Sequence, residues 1–411
     1  MKVLLINKFL YPKGGDAIST LNTGRLLASE GHDVIYWGMH HPLNPKYPYS
    51  EYFVSYTDFY QRGSVKNQVK TTSNILYSFE AKKNIKKLIQ TIKPDIVHLN
   101  NFAHQISPSI LHIFKQYRIP VVMTMHDYKM VCPIYTLLLN GKPCERCKFG
   151  RYYQCFINKC TKNSYAKSLI NAVEMYLHHN ILHIYNIVDV FISPSQFLEN
   201  KVKEMGFSAS IAYLPNFVNT NDFEPSYGWK EKEIIYYGRL SKEKGLKTLI
   251  NAVKEIDGVK LKIIGEGPLR EELQKEIFDK KISNVEFLGY KTGDDLKNEI
   301  SNSMFVVIPS EWYEVFGLTV IESFALGKPV IGARIGGVPE LIKDNETGLI
   351  FEPGNLLDLR SKITYLIDKP SDIIRMGKNA RKFVETELNS KKHYEALMKI
   401  YKRALALHGG Q

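Results

Sequence analysis

Short apolar runs alternate along the chain with longer stretches whose apolar residues recur at three- and four-residue spacing. In the second half the short runs are EIIYYGRL, VKLKIIG, NVEFLG, MFVVIPS, PVIGAR and GLIFEP. Between them lie LREELQKEIFDKK, DDLKNEISN, LTVIESFAL and LLDLRSKITYLID. The runs have the length and β-branched content of buried strands, and the stretches between have the period of helices. The first half repeats the pattern with KVLLIN, HDVIYWG, DIVHLN, PVVMTMH and DVFISPS. Strands alternating with helices predict right-handed βαβ crossovers and parallel sheets covered on both faces. The expected fold class is therefore α/β, with two doubly wound, Rossmann-like domains in tandem. The linker is PNFVNTNDFEPSYGW, which divides the chain into residues 1–215 and 216–389. A last helix, about 390–411, is a candidate to pack back on the first domain. Ligands of such sheets bind at the carboxyl ends of the strands, so two facing edges form a cleft.

Composition narrows the class. The 411 residues are 44% hydrophobic and 24% charged, enough apolar content for packed cores and against disorder as the dominant state. No run approaches the roughly 18 apolar residues of a membrane span. The first run, ending at Asn7-Lys8, is too short for a signal-peptide core, so a cytoplasmic location is expected. Of the net charge of +13, residues 1–220 carry +12 and residues 221–411 carry +1, and ten of the twelve histidines lie in the first half. That asymmetry points to an anionic partner for one domain: nucleic acid, anionic lipid or a phosphorylated substrate.

Candidate chemistry follows the strands. After FVVIPS, Glu314 and Glu322 stand eight apart, and Val315-Phe316-Gly317-Leu318 opens a helix whose free N–H groups form an anion site. Arg239 and Lys244, after the first strand of the second domain, suit a diphosphate. Gly265 and Gly267 follow KLKIIG, and Gly14 and Gly15 open a helix after the first strand. His126 follows VVMTM, with His98, Asn100 and Asn101 ending the preceding strand. Each has a plain structural alternative: solvated helix glutamates, a surface cation pair, tight turns, a histidine satisfied in the fold.

Together these motifs resemble retaining glycosyltransferase family 4, with the GT-B fold, of the bacterial surface-polysaccharide type. The resemblance spans nearly the whole chain and rests on E-x7-E followed by SFA-x-G-x-PV-x-G, then GGVPELI, with the earlier KGG, His-Asp, GRL…K…G and GEGP segments in order. It implies two Rossmann-like domains facing across a cleft and transfer of a sugar from a nucleotide-diphosphate sugar, UDP preferred over GDP, with retention of configuration. Glu322 would hold the ribose hydroxyls. Glu314 and the backbone of Phe316, Gly317 and Leu318 would hold the donor sugar and distal phosphate. Arg239 and Lys244 would bind the diphosphate, with Gly14, Gly15, Gly265 and Gly267 in the phosphate-side loops. His126 would bond the sugar, and Leu288 and Tyr290 would flank the base. The sequence lacks Asp-x-Asp, so no catalytic metal is expected. The expected acceptor is a glycan or a lipid-linked acceptor.

Residues 132–160 form a cysteine-rich insertion in which Cys144, Cys147, Cys155 and Cys160 have metal-ligand character. Structural zinc is one expectation for them, and reduced thiols packing a loop is the other. The basic first half predicts docking to an anionic membrane surface, peripheral to the inner face of the cell membrane. Lys66, Lys70, Lys82, Lys83, Lys86 and Lys87 recur in and before SNILYSFEAKKNIKKLIQTI, whose Ile75, Leu76, Phe79, Ile85, Leu88 and Ile92 form an apolar side. An ordinary helix with that side in the core and its lysines solvated is the alternative, and it still leaves the lysines free to face a membrane. A sugar-nucleotide epimerase on the same fold is the competing enzyme. A nucleic-acid-binding protein is disfavoured, because no recognition-helix, RRM or KH signature accompanies the basic residues.

Overall fold

The computed structural model describes residues 1–56 and 73–409. Two six-stranded sheets, wholly parallel in register, organise it. The first contains β1 (Lys2–Ile6), β2 (Asp33–Trp37), β3 (Ile96–Leu99), β4 (Val121–Thr124), β7 (Val190–Ser193) and β8 (Ile211–Tyr213) in the order β2-β1-β3-β4-β7-β8. A hairpin of β5 (Leu138–Leu139) and β6 (Lys142–Pro143) lies within the cysteine-rich insertion. The second sheet contains β9 (Glu233–Tyr237), β10 (Lys260–Ile264), β11 (Val285–Gly289), β12 (Val306–Ile308), β13 (Val330–Ala333) and β14 (Gly348–Phe351), in the order β11-β10-β9-β12-β13-β14. Each predicted apolar run forms a strand. The three-residue edge strand β8, which no periodicity marks, is an addition.

The strands read as continuous apolar runs because both faces are covered. In β1, Val3 and Leu5 face one cluster while Leu4 and Ile6 face another. The C-terminal helix covers the first of these faces, with Leu397, Ile400, Tyr401 and Ala404 buried against Val3, Leu5, Val122 and Val190. Polar contacts fix its seat: His98 Nδ1 and Tyr401 Oη are 2.8 Å apart, and His408 pairs with Asp189 at 3.0 Å. His98 also bonds Thr124 and is buried, so it serves this packing and does not face an acceptor.

The helices that bear on the site and the surface include α1 (Gly15–Ser29), α2 (Phe79–Ile92), α3 (Tyr153–Ile157) and α4 (Tyr165–Met175). In α2 the residues Ile85, Leu88 and Ile92 are buried, so its apolar side belongs to the core, and only Phe79 is exposed. Lys83 and Lys87 face solvent, whereas Lys66 and Lys70 lie outside the described residues. Among the described residues, no helix is long and apolar enough to cross a membrane.

Candidate active site

Strand order locates the site before any side chain does. In the first sheet the chain reverses direction of travel between β1 and β3, and in the second between β9 and β12. Crevices at the carboxyl ends of the strands open at such switch points. The loops leaving these four strands carry Gly14-Gly15, Asn100, Arg239 with Lys244, and Glu314 with Gly317. The predicted residues thus sit where the topology makes room.

Two helix starts meet across the cleft. Gly14 precedes α1 with no side-chain cap, and Gly317 precedes α6 (Leu318–Ala325), also uncapped; α5 (Gln196–Glu204) lies between them in sequence. A Cβ placed on Gly15 would stand 3.3 Å from Leu318 Cδ1, so the two helices approach closely. Gly317 has φ of +113°, a conformation glycine adopts without strain. The uncapped N–H groups and the helix dipoles favour an anion at both ends.

Glu314 is buried, and its Oε1 accepts from Lys244 Nζ at 2.6 Å and from Ser310 Oγ at 2.5 Å. Burial alone would raise its pKa, but the Lys244 ammonium overrides this and holds the carboxyl below its usual range. Lys244 is therefore anchored beside the loop, ready to face a phosphate with its remaining N–H bonds. Arg239 is exposed, in the loop that leaves β9. Glu322 has no such cation. Burial pushes its carboxyl up to about 7, opposed only by its hydrogen bond with Tyr237. The same Tyr237 hydroxyl lies 2.7 Å from Thr319 O and 3.1 Å from Ser323 Oγ.

Gly265 and Gly267 have a structural task. A Cβ at Gly265 would fall 1.9 Å from Gly238 O, and one at Gly267 2.3 Å from Leu240 O. These glycines let the turn lie backbone-to-backbone against the loop that carries Arg239. Leu288 is partly buried against the core beside α6, and Tyr290, just past β11, is exposed.

On the first sheet, His126 Nε2 lies 2.8 Å from Asn100 Oδ1. Burial lowers its pKa to about 4, so the ring is neutral at pH 7. A neutral ring that donates from Nε2 to the carboxamide oxygen keeps Nδ1 as an acceptor. Asp16, in the first turn of α1, acts on His126 electrostatically. Asp127 accepts from the Lys129 N–H at 2.8 Å, and its pKa is raised by burial. Asp127 belongs to the His-Asp segment and Asp16 directly follows KGG, yet spacing alone does not show that the start of α1 meets the end of β4. Behind them Lys129 Nζ bonds Glu174 Oε2 at 2.8 Å and His104 at 3.0 Å. Burial would raise the Glu174 pKa, but His104 and Lys129 hold the carboxyl well below its usual range.

Direct bonds cross between the lobes. Ser195 Oγ donates to Val315 O at 2.5 Å, and Tyr128 Oη donates to Tyr313 O at 3.0 Å. Glu340, in α7 (Val338–Leu341), accepts from the N–H groups of Gln196 at 2.9 Å and Phe197 at 2.5 Å, capping α5 from the other lobe. A Cβ on Gly336 would strike the Glu314 backbone at 2.3 Å, which explains GGVPE as a brace for the Glu314 loop. The cysteine-rich insertion joins this seam through Glu145, which accepts from Tyr313 Oη at 2.9 Å and from Lys201 at 2.8 Å.

The cysteines are free, and Cys155 and Cys160 share a thiol hydrogen bond that lowers the pKa of Cys160 to about 7. Among the described residues, no set of three or more His, Cys, Asp or Glu side chains is arranged to hold a metal ion. The side chains as placed therefore do not form the four-ligand zinc set that the spacing suggests.

Glycosyltransferase Family 4 matches residues 13–222 and Glycosyl transferases group 1 matches residues 219–383. The chain belongs to glycosyltransferase family 4. It is 26% identical to the N-acetyl-alpha-D-glucosaminyl L-malate synthase of Bacillus anthracis, over 95% of this chain and 94% of that protein. It is 28% identical to the capsular polysaccharide biosynthesis glycosyltransferase CapM of Staphylococcus aureus, over 66% of this chain and 70% of CapM. The sucrose-phosphate synthase structure from Thermosynechococcus elongatus superposes with a TM-score of 0.72 at 20% identity, covering 99% of both chains. HepE of Anabaena, solved with UDP and glucose, superposes with a TM-score of 0.66 at 16% identity, covering 98% of this chain and 99% of HepE. The glycosyltransferase thus has the GT-B architecture, with two parallel-sheet, Rossmann-like lobes.

Proposed function

We propose that this glycosyltransferase moves a sugar from a nucleotide-diphosphate sugar, with UDP as the preferred nucleotide, to a glycan or lipid-linked acceptor with retention of configuration. The observation that carries the reading is the approach of the α1 and α6 starts across the cleft beside Lys244, which forms a preorganised seat for a diphosphate. The UDP bound by the structurally similar HepE supports the choice of nucleotide. The likeness to CapM supports a place in cell-surface polysaccharide biosynthesis.

In this reading each residue has a role. Glu322 accepts from the ribose hydroxyls in its ionised form. The helix-start N–H groups, Lys244 and Arg239 take up the charge that grows on the departing diphosphate, the largest electrostatic task of the reaction. Neutral His126 accepts from a sugar hydroxyl through Nδ1. The bond from the anomeric carbon to the diphosphate oxygen breaks, and the acceptor oxygen bonds to that carbon on the same face. The acceptor proton passes to the leaving phosphate oxygen. The cations and helix dipoles do the work that a divalent ion does in Asp-x-Asp sugar transferases, so catalysis needs no metal. The basic first lobe docks the protein peripherally on an anionic membrane at the cytoplasmic face. Structural zinc in the insertion is a separate reading, supported by cysteine spacing alone.

The test is a panel of UDP- and GDP-sugars screened by thermal shift, followed by proton NMR of the turnover product. A stabilising UDP-sugar and a product with the donor's anomeric configuration are expected. An inverted product, or isomerisation of the free nucleotide sugar without any acceptor, refutes the proposal, and the second result establishes the epimerase.

A further inference from the structure

Helix α4 buries polar side chains and leaves apolar ones on its outer face. It buries Ser168, Asn171 and Glu174 together with Ala172 and Met175, and turns Tyr165, Leu169 and Val173 outward, 52%, 48% and 44% exposed. These three residues are spaced four apart and form one stripe. This arrangement has a cause on the buried side. Asn171 Nδ2 donates to Thr161 Oγ1 at 2.9 Å, Ser168 Oγ accepts from the Thr161 N–H at 2.9 Å, and Glu174 holds Lys129, which lines a small cavity together with Asn100 and His126. These polar groups are needed inside beside Ala172 and Met175, and the apolar stripe on the outer side is left without a covering.

The stripe continues onto α3. The Phe156 and Tyr165 rings pack at a tilt of 49°, 5.3 Å between centroids, and Ile157 is exposed beside Phe156. Lys159 Nζ lies 4.5 Å from the Tyr165 ring centre. From Arg146 to Val173 the chain contains six Lys and Arg and no Asp or Glu. Exposed aromatics and aliphatics set among cations alone fit the boundary between lipid headgroups and acyl chains, where the apolar stripe enters and the lysines meet anionic phosphates.

We propose that the α3–α4 face is the membrane-docking surface, and that its occupant is an anionic lipid bilayer. The inference rests on the peripheral-membrane reading above and replaces α2, whose apolar side is buried, with a different face. Docking through α4 brings the headgroups to the helix that also holds Lys129.

Vesicle sedimentation tests it, using phosphatidylcholine alone and phosphatidylcholine with phosphatidylglycerol, at low and high salt. Wild-type protein is expected to bind the anionic vesicles preferentially, and the binding to weaken with salt. Lys159→Gln with Lys167→Gln removes two cations worth about 1 kcal/mol each near an anionic surface, so the partition constant should fall about 30-fold. Leu169→Ser with Val173→Ser should lower it about tenfold. Lys83→Gln with Lys87→Gln on α2 should change it less than either. An undiminished UDP thermal shift in each variant shows that the fold is intact. If wild type binds anionic vesicles and only the α2 pair reduces binding, this face is wrong while the membrane reading stands. If wild type binds no vesicle, both fail. If Leu169→Ser with Val173→Ser instead dissolves a dimer seen by sedimentation velocity, a second copy of the chain is the occupant and the proposal is overturned.

Discussion

Replacing Glu322 by Gln should make the unliganded protein more stable and the donor complex weaker. Burial raises the Glu322 pKa from 4.5 to about 7. A carboxyl with a raised folded-state pKa contributes its stability below its unfolded value and loses it as pH rises through about 7. At about 1.4 kcal/mol per unit, the ionised side chain costs the fold up to about 3 kcal/mol above neutral pH. Glutamine carries no charge to desolvate, so Glu322→Gln should raise Tm at pH 8 and lose most of that advantage at pH 5. The same charge is what ribose hydroxyls require, and its loss should weaken UDP binding by about 1–3 kcal/mol. In wild type, UDP affinity should rise with pH through about 7, beyond any change that Glu322→Gln retains, because only the carboxylate accepts from both hydroxyls. Calorimetric denaturation at the two pH values and UDP titration across the range supply the measurements. An equal Tm difference at pH 5 and pH 8 would refute the buried-charge argument. Unchanged UDP affinity would refute the ribose assignment.

Lys244→Met should destabilise the fold by about 3–5 kcal/mol, since it leaves the buried Glu314 carboxylate unpaired, and Lys244→Met with Glu314→Gln should recover much of that in urea denaturation. UDP should bind equally with and without EDTA in calorimetry, and loss of binding in EDTA with the fold intact by circular dichroism would contradict a metal-free donor site. Elemental analysis of protein purified without a histidine tag should give close to one zinc per chain if the cysteine spacing has its metal meaning. Substoichiometric zinc with four freely titrating thiols would overturn that reading and match the side chains as placed.

Much of the fold was legible because parallel strands covered on both faces leave unbroken apolar runs, and KVLLIN or EIIYYGRL has no other comfortable home. Strand β8 escaped notice since Ile211-Ala212-Tyr213 is short, at an edge and only partly buried. Glu314, Glu322 and Gly317 were readable as a local motif, because one loop and one helix carry them. Asp16 and Asp127 were not, since their meeting depends on where β1, β3 and β4 end in space. The SNILYSFEAKKNIKKLIQTI segment shows the converse. Its helical period is real, but periodicity does not reveal which side of an apolar stripe the core claims. On α4 the signal misleads further, because an exposed stripe of Tyr165, Leu169 and Val173 has the same period as a buried one.

The most direct measurement is a crystal structure with UDP bound and no divalent metal added. The account predicts the diphosphate between the helix starts at Gly15 and Gly317, within reach of Lys244 and Arg239, with both ribose hydroxyls bonded to Glu322. UDP seated away from these two helix starts, or a diphosphate that meets the protein only through a metal ion, would contradict it.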